Sequence, residues 1–188
     1  FRLDDATSEP IRVADPASVH WDSADRYVAA AAQVLASDGR IRAGNGIPLG
    51  TLGSGVSVVL PPEDPARTGA LNRALAARGV SWRYGALDVT PGTTDSGLVL
   101  PAKVAVSRRY LLQAGGSGGE VLATVNGTPW LVRSGDVLML GSRLDPAWTA
   151  LPLSAPFVPF LDAVLTGAAA RRLPLTTVNA GEAVALPA

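Results

Sequence analysis

The chain has 188 residues, a length that suits one domain built on one hydrophobic core, and its 16 Lys plus Arg balance its 16 Asp plus Glu, so no global field concentrates nucleic acid or an anionic membrane surface. With no cysteine and one histidine, disulfides, iron–sulfur clusters, thiolate zinc sites and cysteine nucleophiles are excluded, while the redox compartment stays open. No apolar stretch reaches the roughly 18–20 residues of a membrane helix, so direct membrane insertion by this segment is not expected.

Taken in chain order, Ile11-Arg12-Val13-Ala14 alternates and ends at Asp15-Pro16, as a strand feeding a turn does. The spacing of Tyr27, Ala31, Val34 and Leu35 predicts a helix over Ser23–Ser37, capped by Asp22 or Ser23 and stopped at Asp38-Gly39. Arg40 to Ala43 then returns as a short strand, and the glycine-rich stretch Gly44–Gly50 reads as a plain loop. Val56–Leu60 is a β-branched strand, Asp64-Pro65 an N-cap followed by proline at the first helical position, and Leu71 and Leu75 lie on one face of the helix that Gly79 closes. Val80–Tyr84 follows as a strand. Two strand–helix–strand units in succession predict a largely parallel sheet.

The second half is strand-like over Val104–Gln113, Glu120–Val125, Thr128–Arg133 and Val137–Leu144. Asn126-Gly127 is a two-residue hairpin turn, and Gly115–Gly119 reads as a flexible hairpin tip, with a linker as the alternative. Phe157, Phe160, Leu161, Val164 and Leu165 make one helical stripe before Gly167, with Pro156 and Pro159 at its start. The expected architecture is three-layer α/β, a mostly parallel sheet with helices on both faces and an antiparallel hairpin extension, over residues 1–172. Residues 173–188 are expected to be a tail or the start of the next unit, and Phe1 together with the strand-like run Gly181–Ala188 reads as boundaries cut within a longer protein.

No assembled catalytic machinery emerges. His20, the one imidazole, is expected in the loop entering the first helix, and a triad needs several convergent groups. Gly53-Ser54-Gly55 precedes a strand where a nucleophile elbow follows one, and Gly44–Gly50 misses the dinucleotide-loop spacing and leads to no helix. The Gly115–Gly119 run has no lysine to hold a phosphate. Asp4-Asp5, Asp22 and Asp25 read as solvated or capping charges, Asp145-Pro146 as a turn, and Arg108-Arg109 and Arg171-Arg172 as solvated faces too short for a nucleic-acid footprint. No metal or cofactor is expected. The acceptor-like Asn126-Gly127-Thr128 needs no explanation beyond its turn.

The run from Gly141 to Leu153, with Leu144-Asp145-Pro146, Trp148 and Leu151-Pro152-Leu153 leading to Phe157-Val158-Pro159, resembles the end of the glutamine-amidotransferase-like domain of large bacterial BatA-like (aerotolerance-type) membrane proteins. Ser57-Val58-Val59-Leu60-Pro61-Pro62, followed by a helix and Gly79, is similar too, and the likeness spans about residues 10 to 170. The resemblance implies a class I glutamine-amidotransferase-like fold beside a von Willebrand A-like domain, tethered to the membrane by segments elsewhere and held outside the cytoplasm. It carries over no catalytic residue, because the family's nucleophile is a cysteine and this chain has none. The expectation is therefore a non-catalytic interaction or scaffolding module, not an enzyme, whose partners are proteins, including neighbouring domains of the same chain. The alternatives are a carboxylate-based hydrolase or sugar-binding domain with its site at the carboxyl ends of the strands, and a structural spacer.

Overall fold

The computed structural model describes residues 15–170 apart from Ser96, Leu98, Pro101, Ser117 and Gly118. In chain order its elements are β1 (Ala17–Trp21), α1 (Arg26–Ser37), β2 (Ile41–Ala43), β3 (Ile47–Gly50), β4 (Ser57–Val59), α2 (Thr68–Ala77), β5 (Trp82–Asp88), β6 (Gly92–Thr93), β7 (Ala105–Val106), β8 (Arg109–Ala114), β9 (Glu120–Val125), β10 (Thr128–Ser134), β11 (Val137–Leu140) and α3 (Phe157–Ala169). Seven strands form one sheet in the order β2-β1-β3-β4-β11-β10-β9. The first five of these run parallel and the last two continue antiparallel, giving a mixed α/β domain with a large, mostly parallel central sheet.

The two-residue period of the strands sorts side chains onto two faces. Val19, Ile47, Leu49, Val58, Leu138 and Leu140 pack with Val28, Ala32 and Leu35 of α1 and with the α3 stripe Phe157, Phe160, Leu161, Val164 and Leu165. Val59, Val137 and Met139 point the other way, where Leu75 of α2 meets Trp82 and Tyr84 of β5 and Tyr110 and Leu112 of β8. β5 and β8 pair with each other as a separate antiparallel ribbon. In that ribbon Asp88 stands opposite Arg109, and their side chains form an ion pair at 2.6 Å.

Local chemistry sets the boundaries. The Asp25 carboxylate accepts the Val28 N–H and starts α1, and Gly39 and Gly79, both at φ +70°, follow the two helix ends where a side chain would be strained. Asp64 accepts the Ala66 N–H ahead of a short 3-10 turn, Pro65–Arg67, that leads into α2. Asn126 and Gly127 have φ of 49° and 75°, the paired left-handed conformations of a type I′ turn between β9 and β10. Pro159 sits in the first turn of α3, where its missing N–H has no helical partner to lose.

The structure departs from the sequence reading at several elements. β1 and β3 are strands where a turn and a loop were expected; each is short, and its partners are parallel strands distant from any hairpin, so neither carries a local signature. Gly44 and Gly46 are not free turn residues, since a Cβ on either would overlap Ser18 of β1. The buried stripe of α1 is Val28, Ala31, Ala32 and Leu35; Val34 is 46% exposed and the helix begins later than expected. β5 leaves the central sheet to pair with β8 instead of extending the parallel order. β8 pairs within that ribbon and β9 within the central sheet, so the strands on either side of Gly115–Gly119 are not hairpin partners of each other. The expected runs Val104–Gln113 and Val137–Leu144 divide or stop early, as β7 plus β8 and as β11. α3 passes through buried Gly167 and ends at Ala169. Ile11–Ala14 and the tail from Leu173 lie outside the described residues.

Phe160 is 1% exposed in the α1–α3 core. Phe160→Ala is expected to cost roughly 3–5 kcal/mol, read as a lower denaturant midpoint at unchanged slope. An unmoved midpoint would remove α3 from the core. Acid should also loosen the β5–β8 ribbon. The Thr90 amide and side chain, and to a lesser extent the Arg109 guanidinium, hold the Asp88 carboxyl below its ordinary value, so its stabilisation is present above the unfolded value of about 3.9 and is lost as pH falls through the lower folded one. Asp88→Asn should flatten the acid limb of the thermal midpoint plotted against pH; an unchanged limb would show that the pair contributes nothing.

Candidate functional site

Four adjacent parallel strands, β1, β3, β4 and β11, finish on the same edge of the sheet, and a polar segment follows each. Asp22, Thr51, Glu63 and Arg143 are brought together there with Asp25 and Arg67 around a depression of about 500 Å³. A second hollow of about 450 Å³ shares Asp25, Glu63 and Arg143 with it and extends to Tyr27 and Asp145. This edge is where open parallel sheets place their ligands, because the loops that leave the strands diverge there.

The three aspartates have local duties. Asp22 accepts the Ala24 N–H at 2.8 Å, Asp25 accepts the Val28 N–H at 3.3 Å, and Asp145 accepts the Ala147 N–H at 2.7 Å. Arg143 donates to the Pro61 carbonyl at 3.3 Å, tying the segment after β11 to the segment after β4. Arg26 lies over the Tyr27 ring at 4.8 Å. Burial pushes the Asp25 carboxyl above its ordinary value; the Val28 amide and Arg143 oppose the shift, and Asp145 and Asp22 add to it. Chemically the hollow presents both signs of charge on short, anchored loops.

The Gly141–Thr149 segment carries Arg143 and Asp145 to this edge. Gly141 donates to the Trp130 carbonyl at 2.6 Å and accepts the Tyr110 N–H at 2.7 Å, an approach that a side chain would crowd. The Ser142 hydroxyl accepts from Trp130 Nε1 at 2.8 Å and donates to the Arg108 carbonyl at 2.6 Å. Trp148 stacks on Tyr110 with ring centroids 5.9 Å apart, and its carbonyl accepts the Ser107 and Arg108 amides. Asp145-Pro146 is thus a turn, as the sequence implies, and one with its side chain at the hollow's rim.

The other singled-out residues scatter. His20 lies within β1, not in a loop, and is exposed on the sheet face opposite α1 and α3. Ser54 is exposed in the loop before β4, whose Gly53 and Gly55 carbonyls are held by Arg78 and whose Gly53 amide is held by Ser57. Arg108 is exposed, but Arg109 is 5% exposed and paired with Asp88, which corrects the expected solvated face: position two in the dipeptide points into the ribbon. Asp4-Asp5 and Arg171-Arg172 lie outside the described residues. Sequence reasoning missed Thr51, Glu63, Arg67 and Arg143. Their shared signal is polarity just after an apolar strand or, for Arg67, in the turn that follows.

Among the described residues no three His, Cys, Asp or Glu side chains are grouped to hold a metal ion, and no helix is long and apolar enough to cross a membrane. No family model matches the chain. No curated protein matches it either. Among solved structures it is similar to an exo-beta-1,4-mannosidase from Opitutaceae bacterium strain TAV5, at 13% identity and a TM-score of 0.47, over 84% of this chain. The chain spans 35% of that protein's length, and a likeness of this size carries no inference about site or activity.

Asp25→Ala should remove a helix cap and cost about 1 kcal/mol. Asp25→Asn keeps a capping oxygen and removes the partly buried charge, so its thermal midpoint at neutral pH should equal or exceed that of the wild type. A fall for Asn as large as for Ala would assign Asp25 a role that needs its charge.

Proposed function

We propose that this domain is a non-catalytic interaction or scaffolding module with a class I glutamine-amidotransferase-like shell, which meets protein partners, including neighbouring domains of its own chain, through the strand-end edge. The observation that carries this reading is the chemistry of the hollow. Its aspartates are engaged by amides of their own turns, its Arg143 bridges two loops, and the chain has no cysteine to serve as an amidotransferase nucleophile. Anchored charges of both signs suit recognition of a polar protein surface, where they contribute to register and association rate more than to raw affinity. A mostly parallel sheet with helices against both faces is compatible with the proposed shell.

The setting proposed with it, a larger membrane-anchored cell-envelope protein with this domain on the extracytoplasmic side, rests on the resemblance around Gly141–Leu153. The alternative reading, a carboxylate-based hydrolase or sugar-binding domain, is favoured by the location of the hollow alone. The turn bonds of its three aspartates count against it.

Two measurements test the reading. Purified protein should release no ammonia from glutamine above the blank; release abolished by one substitution in this chain would overturn the non-catalytic claim. In spheroplasts of cells making the whole protein, added protease should reach this domain without lysis. Protection until lysis would overturn the setting.

A further inference from the structure

We propose that Asn45 is a site of spontaneous covalent modification, deamidation through attack by the Gly46 main-chain nitrogen, and that the chain's other Asn-Gly pair, Asn126-Gly127, is shielded from the same reaction by its hydrogen bonds. Both pairs have the composition that favours the chemistry, because glycine leaves its nitrogen open to the preceding side chain. The Gly46 nitrogen bonds to Cγ of Asn45, the Cγ–Nδ2 bond breaks, and the nitrogen's proton leaves with the amide as ammonia. Water then opens the five-membered ring on one side to aspartate and on the other to isoaspartate. No oxidant or reductant is involved.

At Asn126 both reacting groups are occupied. The Gly127 N–H is donated to Asp95 Oδ2 at 2.9 Å, and Asn126 Oδ1 accepts the Thr93 N–H at 3.1 Å. The Asn126 N–H also donates to the Thr93 carbonyl at 3.1 Å, so the residue is gripped on two sides. Asp95 is itself fixed, by the Thr124 hydroxyl at 2.5 Å and by its own N–H on the Thr124 carbonyl at 2.9 Å. The Thr124 hydroxyl and the Gly127 amide hold the Asp95 carboxyl below its ordinary value, which keeps it charged and accepting. Ring closure at Asn126 requires the left-handed turn to open and these bonds to break.

Asn45 has none of these hydrogen bonds. It is exposed in the connection from β2 to β3, and among the described residues its side chain has no hydrogen-bond partner. With His20 and Trp21 it lines a shallow hollow of about 330 Å³. Gly44 and Gly46 on either side are pressed against Ser18 of β1 with no space for a Cβ. An isoaspartyl link would insert an extra main-chain carbon into this tight connection, and either product would place a carboxylate beside the chain's one imidazole. The change would reach β1 and the β2 edge of the sheet.

The test is incubation of the full chain in mildly alkaline buffer, with both tryptic peptides followed by mass spectrometry that separates aspartyl from isoaspartyl products. Asn45 is expected to convert and Asn126 to lag roughly a hundredfold, the factor that about 2.7 kcal/mol of local opening represents. Asp95→Ala should narrow that gap while the Asn45 rate, measured in the same molecules, stays fixed; Thr124→Val, a milder change, should narrow it less. Comparable rates at the two sites in the unmodified sequence, earlier conversion of Asn126, or an Asn45 as inert as Asn126 would overturn the proposal. A gap untouched by both substitutions would overturn the shielding.

Discussion

Gly141 and Ser142 hold the two halves of the interior together. Three strands from two different sheets meet there, and the buried main-chain groups at the junction need partners, because an unsatisfied one costs on the order of 1–3 kcal/mol. The missing side chain at Gly141 lets β8 and β10 come close enough to supply main-chain partners. The Ser142 hydroxyl then links the indole of Trp130, in the α3 core, to the carbonyl of Arg108, at the start of the ribbon. Trp148, a few residues later, closes the same junction from the ribbon side by stacking on Tyr110. From this knot the chain can only go to the strand-end edge and then into α3, so the position of Arg143 and Asp145 follows from packing.

That dependence explains how much was legible in the sequence. The α3 stripe was readable because five large apolar residues recur at helical spacing, and Asn126-Gly127 because a type I′ turn demands left-handed residues in succession. Asp64-Pro65 and Gly79 were readable for comparable local reasons. β1 and β3 were not, since Ala17–Trp21 and Ile47–Gly50 are strands by virtue of parallel neighbours that no local pattern announces. Propensity could not separate Gly44 and Gly46 as turn residues from Gly44 and Gly46 as points of close backbone approach. The destination of β5 was hidden for the same reason: Trp82 and Tyr84 satisfy a strand pattern in either sheet, and only the pairing with β8 decides.

The strand-end hollow was legible in location and not in membership. Asp22, Asp25 and Asp145 could be named from capping and turn chemistry. Their convergence with Glu63, Arg67 and Arg143 required the sheet order, which sets the segment after β11 beside the segment after β4. The Asp88–Arg109 pair shows the same limit, since an arginine dipeptide looks like surface until one partner is found opposite an acid in a buried register.

The placement of β11 has a consequence for the order in which the molecule can be made. β11 is inserted between β4 and β10, so the parallel part of the sheet lacks its last member until residues near Leu140 are available, and the α1 face lacks its cover until α3 follows. Contacts between segments so far apart in the chain carry a large loop-closure cost before they return any stabilisation. During synthesis β1, β3 and β4 therefore emerge with Val19, Leu49 and Val58 unburied by their final partners. The growing chain has an apolar sheet face to keep from other chains until its last third leaves the ribosome.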